Sequence, residues 1–201
     1  TIPVFILGNP VNHSLSPVFQ TAALQALDIN SVYLAINIEK ENFETIVSGL
    51  KKMKLLGLNI TVPYKRDIIK FCDKLEVDAE NIGAVNTIEI ADGKWIGHNT
   101  DWYGIIKTLE ENKIGRDETV LVIGAGGAAN SVIYGVKQFG IKEITITNRT
   151  LEKAESLKEQ FDIKLIEYSE SIKRLNEFSL IINCTTLKFD AIIPQIGRAH
   201  V

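Results

Sequence analysis

The chain has 201 residues, 45% of them hydrophobic and 23% charged, an ordinary globular composition that excludes a disordered or fibrous protein and leaves room for one domain or two. A formal net charge of −3, with no Lys/Arg run long enough to form a patch, gives no reason to bind nucleic acid or an anionic membrane. Cys72 and Cys184 lie outside any C-x-x-C or zinc spacing, so a reduced, cytoplasmic protein without a metal site is expected.

In chain order, Ile2-Pro3-Val4-Phe5-Ile6-Leu7 is too short for a membrane span and carries no basic leader; residues 3–7 read as a buried strand ending at Gly8-Asn9-Pro10. Ser16-Pro17 reads as a helix start, with serine as N-cap and proline at the first helical position, and the helix runs to about Leu27. Val32 to Ile38 is a second strand. Glu41 to Met53 carries apolar residues at 43, 46, 47 and 50, a helical spacing, and Leu55 to Val62 is a third strand closed by Pro63. This alternation predicts βαβ units and a parallel core. Thr87–Ile90 and Lys94–Ile96, joined by Asp92-Gly93, predict a hairpin with a primed turn.

A helix from about Asp101 to Asn112 precedes a second alternation, and the boundary between the two halves is expected near Asn112–Arg116. Val120–Ile123 is a strand, a glycine turn opens a helix to about Phe139, and Glu143–Thr147 is the next strand. A helix, a short strand near Lys164–Ile166 and a strand at Leu180–Asn183 follow.

The turn Gly124-Ala125-Gly126-Gly127-Ala128-Ala129 has the strand–turn–helix context of a dinucleotide fingerprint. Gly124 permits the turn, Gly126 lets backbone approach a pyrophosphate, and Ala129 lets helix pack on strand, with the helix N-terminus facing the phosphates. After the second strand of this half, a site for NAD would carry an acid for the ribose 2′-hydroxyl. The chain has Asn148-Arg149-Thr150, with Lys153 one turn on, which suits a 2′-phosphate, so NADP is the expected cofactor. Taken alone, Arg149 also reads as a solvated loop residue and Thr150 as a helix cap.

Lys65 and Asp101 stand on two turns upstream of that fingerprint. A lysine beside a nicotinamide can move a proton while a hydride moves, and an aspartate can hold the lysine and a neighbouring hydroxyl in line. Taken singly, Lys65 reads as a surface lysine, Asp101 as an N-cap, Ser14 and Ser16 as turn residues, and Tyr64 as either packing or site. Jointly, Gly8-Asn-Pro-Val-Asn-His-Ser14-Leu-Ser16-Pro17, Asn59-Ile-Thr61-Val-Pro-Tyr-Lys65, Gly83-Ala-Val-Asn86-Thr87 and Gly97-His-Asn-Thr-Asp101-Trp-Tyr-Gly104 resemble, in order, the motifs of the shikimate dehydrogenase family. The resemblance runs through the fingerprint and Asn148-Arg149-Thr150 to about Thr186. It implies NADPH-dependent reversible reduction of 3-dehydroshikimate to shikimate, in aromatic amino-acid biosynthesis. By the same resemblance, Ser14 and Ser16 would bind the substrate carboxylate, Thr61, Asn86 and Asp101 the ring hydroxyls, Asn59 would support the pocket, and Lys65 would act at the reacting oxygen. Cofactor contacts would come from Gly124, Ala125, Gly126, Gly127, Ala128, Asn148, Arg149, Thr150, Lys153 and Thr185. The partners implied are the small-molecule substrate and at most a second copy of the chain, as monomer or homodimer.

The fold class expected is therefore α/β: a substrate domain over 1–100, a connecting helix and linker over 101–115, and an incomplete Rossmann-type doubly wound parallel sheet over 116–195. The chain departs from the family at Gln20-Thr21, where a His-Asn pair is usual, and at Lys188, where glycine is usual. Residues 196–201, Ile-Gly-Arg-Ala-His-Val, match the translation of a sequencing-library adaptor (ATC GGA AGA GCA CAC GTC). They are read as a non-native tail on a C-terminally truncated fragment, which by itself is expected to be inactive. Alternatives are a quinate/shikimate dehydrogenase using NAD, which the Arg149-Thr150 pair disfavours, and a non-catalytic nucleotide-sensing paralogue. A glutamyl-tRNA reductase would need a nucleophilic cysteine in the first half, and Cys72 sits in no such motif.

Overall fold

The computed structural model describes residues 1–185 and Leu187; Thr186, Lys188 and the segment 196–201 lie outside the described residues. By internal packing the chain divides into two units, Thr1–Thr100 and a second beginning at Asp101.

In the first unit β1 (Ile2–Gly8), α1 (Ser16–Ala26), β2 (Ser31–Asn37), α2 (Phe43–Leu50) and β3 (Gly57–Ile60) follow in order. Then come β4 (Lys74–Leu75), α3 (Val77–Ile82), β5 (Thr87–Ala91) and β6 (Lys94–His98), and the strands form one sheet in the order β2-β1-β3-β5-β6-β4. β1 pairs parallel with both β2 and β3, as the βαβ alternation predicts. The sheet as a whole is mixed, because β5 joins β3 antiparallel and β6 returns antiparallel to β5. The hairpin turn is Asp92-Gly93 with φ of 51° and 73°, the two positive values a type I′ turn requires. Alternation divides β1 between the faces: Phe5 and Leu7 enter a core with Phe43, Val47, Leu58, Ile60 and Trp95, while Val4 and Ile6 join Val11, Tyr33 and Leu24.

Two local readings are corrected, and one left open is decided. Ser16 is not an N-cap: Leu15 holds that position without a side-chain bond, and the Ser14 hydroxyl instead accepts the Ser16 N–H at 3.2 Å. The helix read over 41–53 is a 3-10 turn at Lys40–Asn42 followed by α2, which stops at Leu50 once the apolar stripe ends. Tyr64 is packing: it is 1% exposed, stacks on Phe43 with centroids 4.1 Å apart, and donates its hydroxyl to the Ile38 carbonyl.

The second unit runs α4 (Asp101–Glu111), β7 (Thr119–Ile123), α5 (Gly127–Phe139), β8 (Glu143–Thr147), α6 (Leu151–Phe161), β9 (Lys164–Leu165), α7 (Tyr168–Lys173) and β10 (Leu180–Asn183). Its strands are all parallel, in the order β10-β7-β8-β9 among the described residues. Val120 and Val122 face α4, α5 and α6, while Leu121 and Ile123 face Tyr168 and Ile172 of α7, so helices cover both faces, as in a doubly wound sheet. The stretch read as a connecting helix with a boundary near 112–116 packs within this unit. A Cβ at Gly135 of α5 would lie 2.7 Å from the Trp102 carbonyl oxygen, a closeness of α4 to α5 that only glycine allows. Trp102 also meets Tyr134 edge-on at 5.7 Å.

In the first unit, Asp73 locks the segment before β4 to β6. Its carboxylate accepts the Trp95 N–H at 2.8 Å and the Lys51 ammonium at 3.0 Å. The Trp95 bond first, and Lys51 second, hold the carboxyl below its usual range. A folded value below the unfolded one means a contribution present in full above the ordinary carboxylate range and lost as pH falls through the depressed value. Asp73→Asn is therefore expected to lower the urea midpoint near neutral pH, with the gap closing as pH falls through the depressed value. A gap unchanged by acid would show that the charge contributes nothing.

Candidate active site

The substrate-side residues of the first unit gather where the C-terminal ends of β1 and β3 meet the start of β5. Parallel strands point their carboxyl ends to one side, the usual place for a ligand in such sheets. Gly8 ends β1, and a Cβ there would lie 2.4 Å from the Thr61 methyl carbon and 3.1 Å from the Val62 carbonyl oxygen. A glycine is needed so that the 61–65 turn can cross the strand end, where Thr61 N–H bonds to the Leu7 carbonyl at 2.9 Å. The turn is tied on by the Val85 N–H, which donates to the Lys65 carbonyl at 2.8 Å, next to Asn86.

A hydrogen-bonded chain of side chains runs through this region. Tyr33 donates its hydroxyl to Asn59 Oδ1 at 2.7 Å. Asn59 Nδ2 donates to the Asn86 carbonyl at 3.2 Å and to Thr87 Oγ1 at 3.0 Å. Thr87 Oγ1 donates to Asn86 Oδ1 at 3.0 Å, which also accepts the Thr100 N–H at 3.0 Å. Asn86 Nδ2 donates to Thr100 Oγ1 at 3.0 Å. Ser14 and Ser16 meet where the Ser16 N–H donates to the Ser14 hydroxyl. Asn59 and Asn86 are thus brought into one network; Ser14 and Ser16 share a turn of their own, and Thr61 and Lys65 are tethered through their backbones. Asp101 opens α4 directly after Thr100 in the chain.

Sequence reading missed Tyr33, Thr87 and Thr100 as parts of this network. Thr87 and Thr100 lie inside the quoted motifs; Tyr33 lies outside them, in a strand whose composition accounts for an aromatic without reference to a site. His98, given no chemical role, pairs with Glu89 at 3.0 Å across the hairpin.

In the second unit the fingerprint folds as strand, turn and helix. Gly124 has φ of 110°, and a Cβ there would press within 2.9 Å of the Thr185 methyl carbon and 3.1 Å of Cys184 backbone. Gly126 has φ of −91° with no atom within 4 Å of a Cβ, so the space over the N-terminus of α5 is open to a ligand. Ala125 is buried, Gly127 and Ala128 are half-buried, and Ala129 packs without exposure. Arg149, Thr150 and Lys153 are exposed beyond β8. Thr150 holds the N-cap position of α6 without making a capping bond, and Asn148 Nδ2 braces the turn by donating to the Thr150 carbonyl at 2.8 Å. Neither Arg149 nor Lys153 has an ion-pair partner among the described residues. An open cradle at a helix N-terminus beside uncommitted cations fits a phosphorylated dinucleotide. Thr185 is half-buried, held by Asn183 Oδ1, which accepts both its N–H and its hydroxyl at 2.8 Å.

Burial pushes the Cys72 thiol up to about 11 and the Cys184 thiol up to about 12, which removes both as nucleophiles near neutral pH. The described residues bring together no group of three or more His, Cys, Asp or Glu suited to a metal ion. No helix among them is long and apolar enough to cross a membrane.

Residues 6–88 match the shikimate dehydrogenase substrate binding domain family, and residues 108–195 match the shikimate / quinate 5-dehydrogenase family. The NADP(+) shikimate dehydrogenase of Dictyoglomus thermophilum is 41% identical over 191 residues, covering 92% of this chain and 69% of that protein. That of Methanococcus maripaludis strain C7 is 40% identical, covering 94% and 71%. Among solved structures, shikimate dehydrogenase from Aquifex aeolicus superposes with a TM-score of 0.86 at 37% identity, covering 96% of this chain and 75% of that one. The Thermus thermophilus enzyme in complex with NADP(H) and shikimate gives 0.80 at 31% identity, covering 92% and 69%. With both halves matched in order and curated relatives covered over more than two thirds of their length, the chain belongs to the shikimate dehydrogenase family.

Proposed function

We infer that this chain serves an NADP-dependent shikimate dehydrogenase that interconverts 3-dehydroshikimate and shikimate. The observation that carries the reading is the polar network of the first unit. Short amide and hydroxyl side chains with assigned donor and acceptor ends are what a polyhydroxylated acid requires. Ser14 and Ser16 donate to the substrate carboxylate, Thr61, Asn86 and Asp101 engage ring hydroxyls, and Asn59 supports them. In the direction of reduction, Lys65 gives a proton to the oxygen of the forming alcohol; in oxidation it takes that proton back. Bound NADPH supplies the hydride.

On the cofactor side, Gly124, Ala125, Gly126, Gly127 and Ala128 shape the cradle for the pyrophosphate. Asn148, Arg149, Thr150 and Lys153 receive the 2′-phosphate, and Thr185 contributes beside Gly124. The free thiols fit a reduced, cytoplasmic setting. The enzyme acts as a monomer or homodimer.

Three measurements test this reading. In the chain joined to the C-terminal remainder of a relative, Lys65→Ala should cut kcat by about 10²- to 10⁴-fold while KM for shikimate changes little, since proton transfer matters in the transition state. Near-normal turnover removes Lys65 from the mechanism. Arg149→Asp should weaken NADP binding by roughly 1.5–3 kcal/mol for each charge-assisted bond lost, with NAD binding changed far less; equal losses would make Arg149 structural. Gly126→Val should cost about 1 kcal/mol of stability, because valine is a poor N-cap, and abolish NADP binding, because its side chain enters the open cradle. Undiminished NADP binding by that variant would place the pyrophosphate elsewhere.

A further inference from the structure

Tyr33 is the one titratable side chain in the first-unit network to which the family motifs assign no part. It is third in β2, 4% exposed, and packed with Ile6, Val11 and partly buried Leu24. A phenylalanine would satisfy that apolar cluster equally well, so the hydroxyl calls for its own explanation. We propose that Tyr33 is a positioning residue for the substrate pocket, its hydroxyl fixing the orientation of the Asn59 amide and, through it, of Asn86. This rests on the reading of Asn59 and Asn86 as substrate-side residues.

An asparagine amide has chemically opposite ends that fill almost the same space, so only its partners decide which way it lies. The Tyr33 O–H can meet an oxygen as donor, and at 2.7 Å it takes Asn59 Oδ1. The two Nδ2 protons then go to the Asn86 carbonyl and to Thr87 Oγ1. Having accepted that bond, Thr87 gives its single hydroxyl proton to Asn86 Oδ1. With Oδ1 also accepting the Thr100 N–H, Asn86 Nδ2 is turned toward Thr100 Oγ1. Each donor–acceptor choice dictates the next, from β2 across β3 to the residue before α4. A pocket that reads hydroxyl groups depends on which atom is donor and which acceptor, because a wrong end leaves a buried polar group unpaired.

Two features hold Tyr33 at its post. Its own N–H reaches Thr21 Oγ1 at 3.4 Å, so the Thr21 that departs from the family pattern fastens β2 to α1, the helix that begins at Ser16. Burial pushes the phenol up to about 12, so it keeps its proton at any ordinary working pH.

The test compares the chain joined to the C-terminal remainder of a relative with the same protein carrying Tyr33→Phe, using shikimate and NADP as separate titrants in calorimetry and side-chain amide exchange by NMR. Loss of the donor should raise the dissociation constant for shikimate about ten-fold or more and leave that for NADP unchanged. The Asn59 side-chain amide should exchange faster in the variant. An equal loss for both ligands would indicate general destabilisation and overturn the proposal. So would unchanged shikimate binding, which leaves the substrate-site reading intact. If the parent chain does not bind shikimate, the substrate-site reading falls, and amide exchange still decides: identical Asn59 and Asn86 exchange in the two proteins refutes Tyr33 as the orienting group. Should Tyr33→Phe fail to fold, rapid exchange of the Asn59 amide in the parent refutes it equally.

Discussion

The side-chain amide of Asn59 ties together segments that the chain keeps far apart. Its partners lie 26, 27 and 28 residues away, on β2, at the residue before β5, and on β5 itself. An amide left partly unpaired at a half-buried position would cost about 1–3 kcal/mol, so these bonds constrain where the strands end relative to one another. The parallel register of β1 with β3 and the antiparallel register of β3 with β5 converge on it: Asn59 stands opposite Ile6 on one side and Thr87 on the other. The mixed sheet thus has a functional consequence. An antiparallel β5 starts beside the point where β3 finishes, which puts Asn86 at the same rim as Asn59.

The second unit solves a different problem, an approach for a phosphorylated ligand. Two glycines of one turn do separate work there. Gly124 adopts a backbone conformation that other residues rarely take and lies against Thr185 and Cys184, whereas Gly126 has an ordinary conformation and empty space beyond it. One is required by the protein itself, the other by what must come close. In the turn after β10, Asn183 Oδ1 accepts from Thr185, and Asn183 Nδ2 donates to the Leu187 carbonyl at 2.7 Å.

Where sequence reading and structure differ, some causes are local and others are contacts between distant segments. β4 has two residues, and α3 and α7 have six each, too short for a period of 2 or 3.6 to declare itself. The Ser16 cap failed because the helix starts one residue earlier: the Leu15 carbonyl accepts the Val18 and Phe19 N–H groups, which makes Ser16 the first helical residue. The 101–115 stretch read as a connector because its sequence does not record that Trp102 and Ile105 crowd Gly135. Tyr64 stood open between site and core until its ring was found stacked on Phe43.

What the sequence determined by itself is everything carried by short-range chemistry. The glycine fingerprint between strand and helix, the Asp92-Gly93 hairpin, the serine turn, and the order of motifs that signals the family are all properties of neighbouring residues. β7, α5, β8 and α6 of the second alternation follow for the same reason, since their apolar periods are longer. Tertiary structure alone decided which polar side chains meet. Tyr33, Thr87 and Thr100 join Asn59 and Asn86 only because a mixed sheet brings β2, β3, β5 and the end of β6 to one rim. A hydrogen bond between residues tens of positions apart leaves no periodic trace in the chain, because it depends on register, and register is set by the packing of the whole sheet.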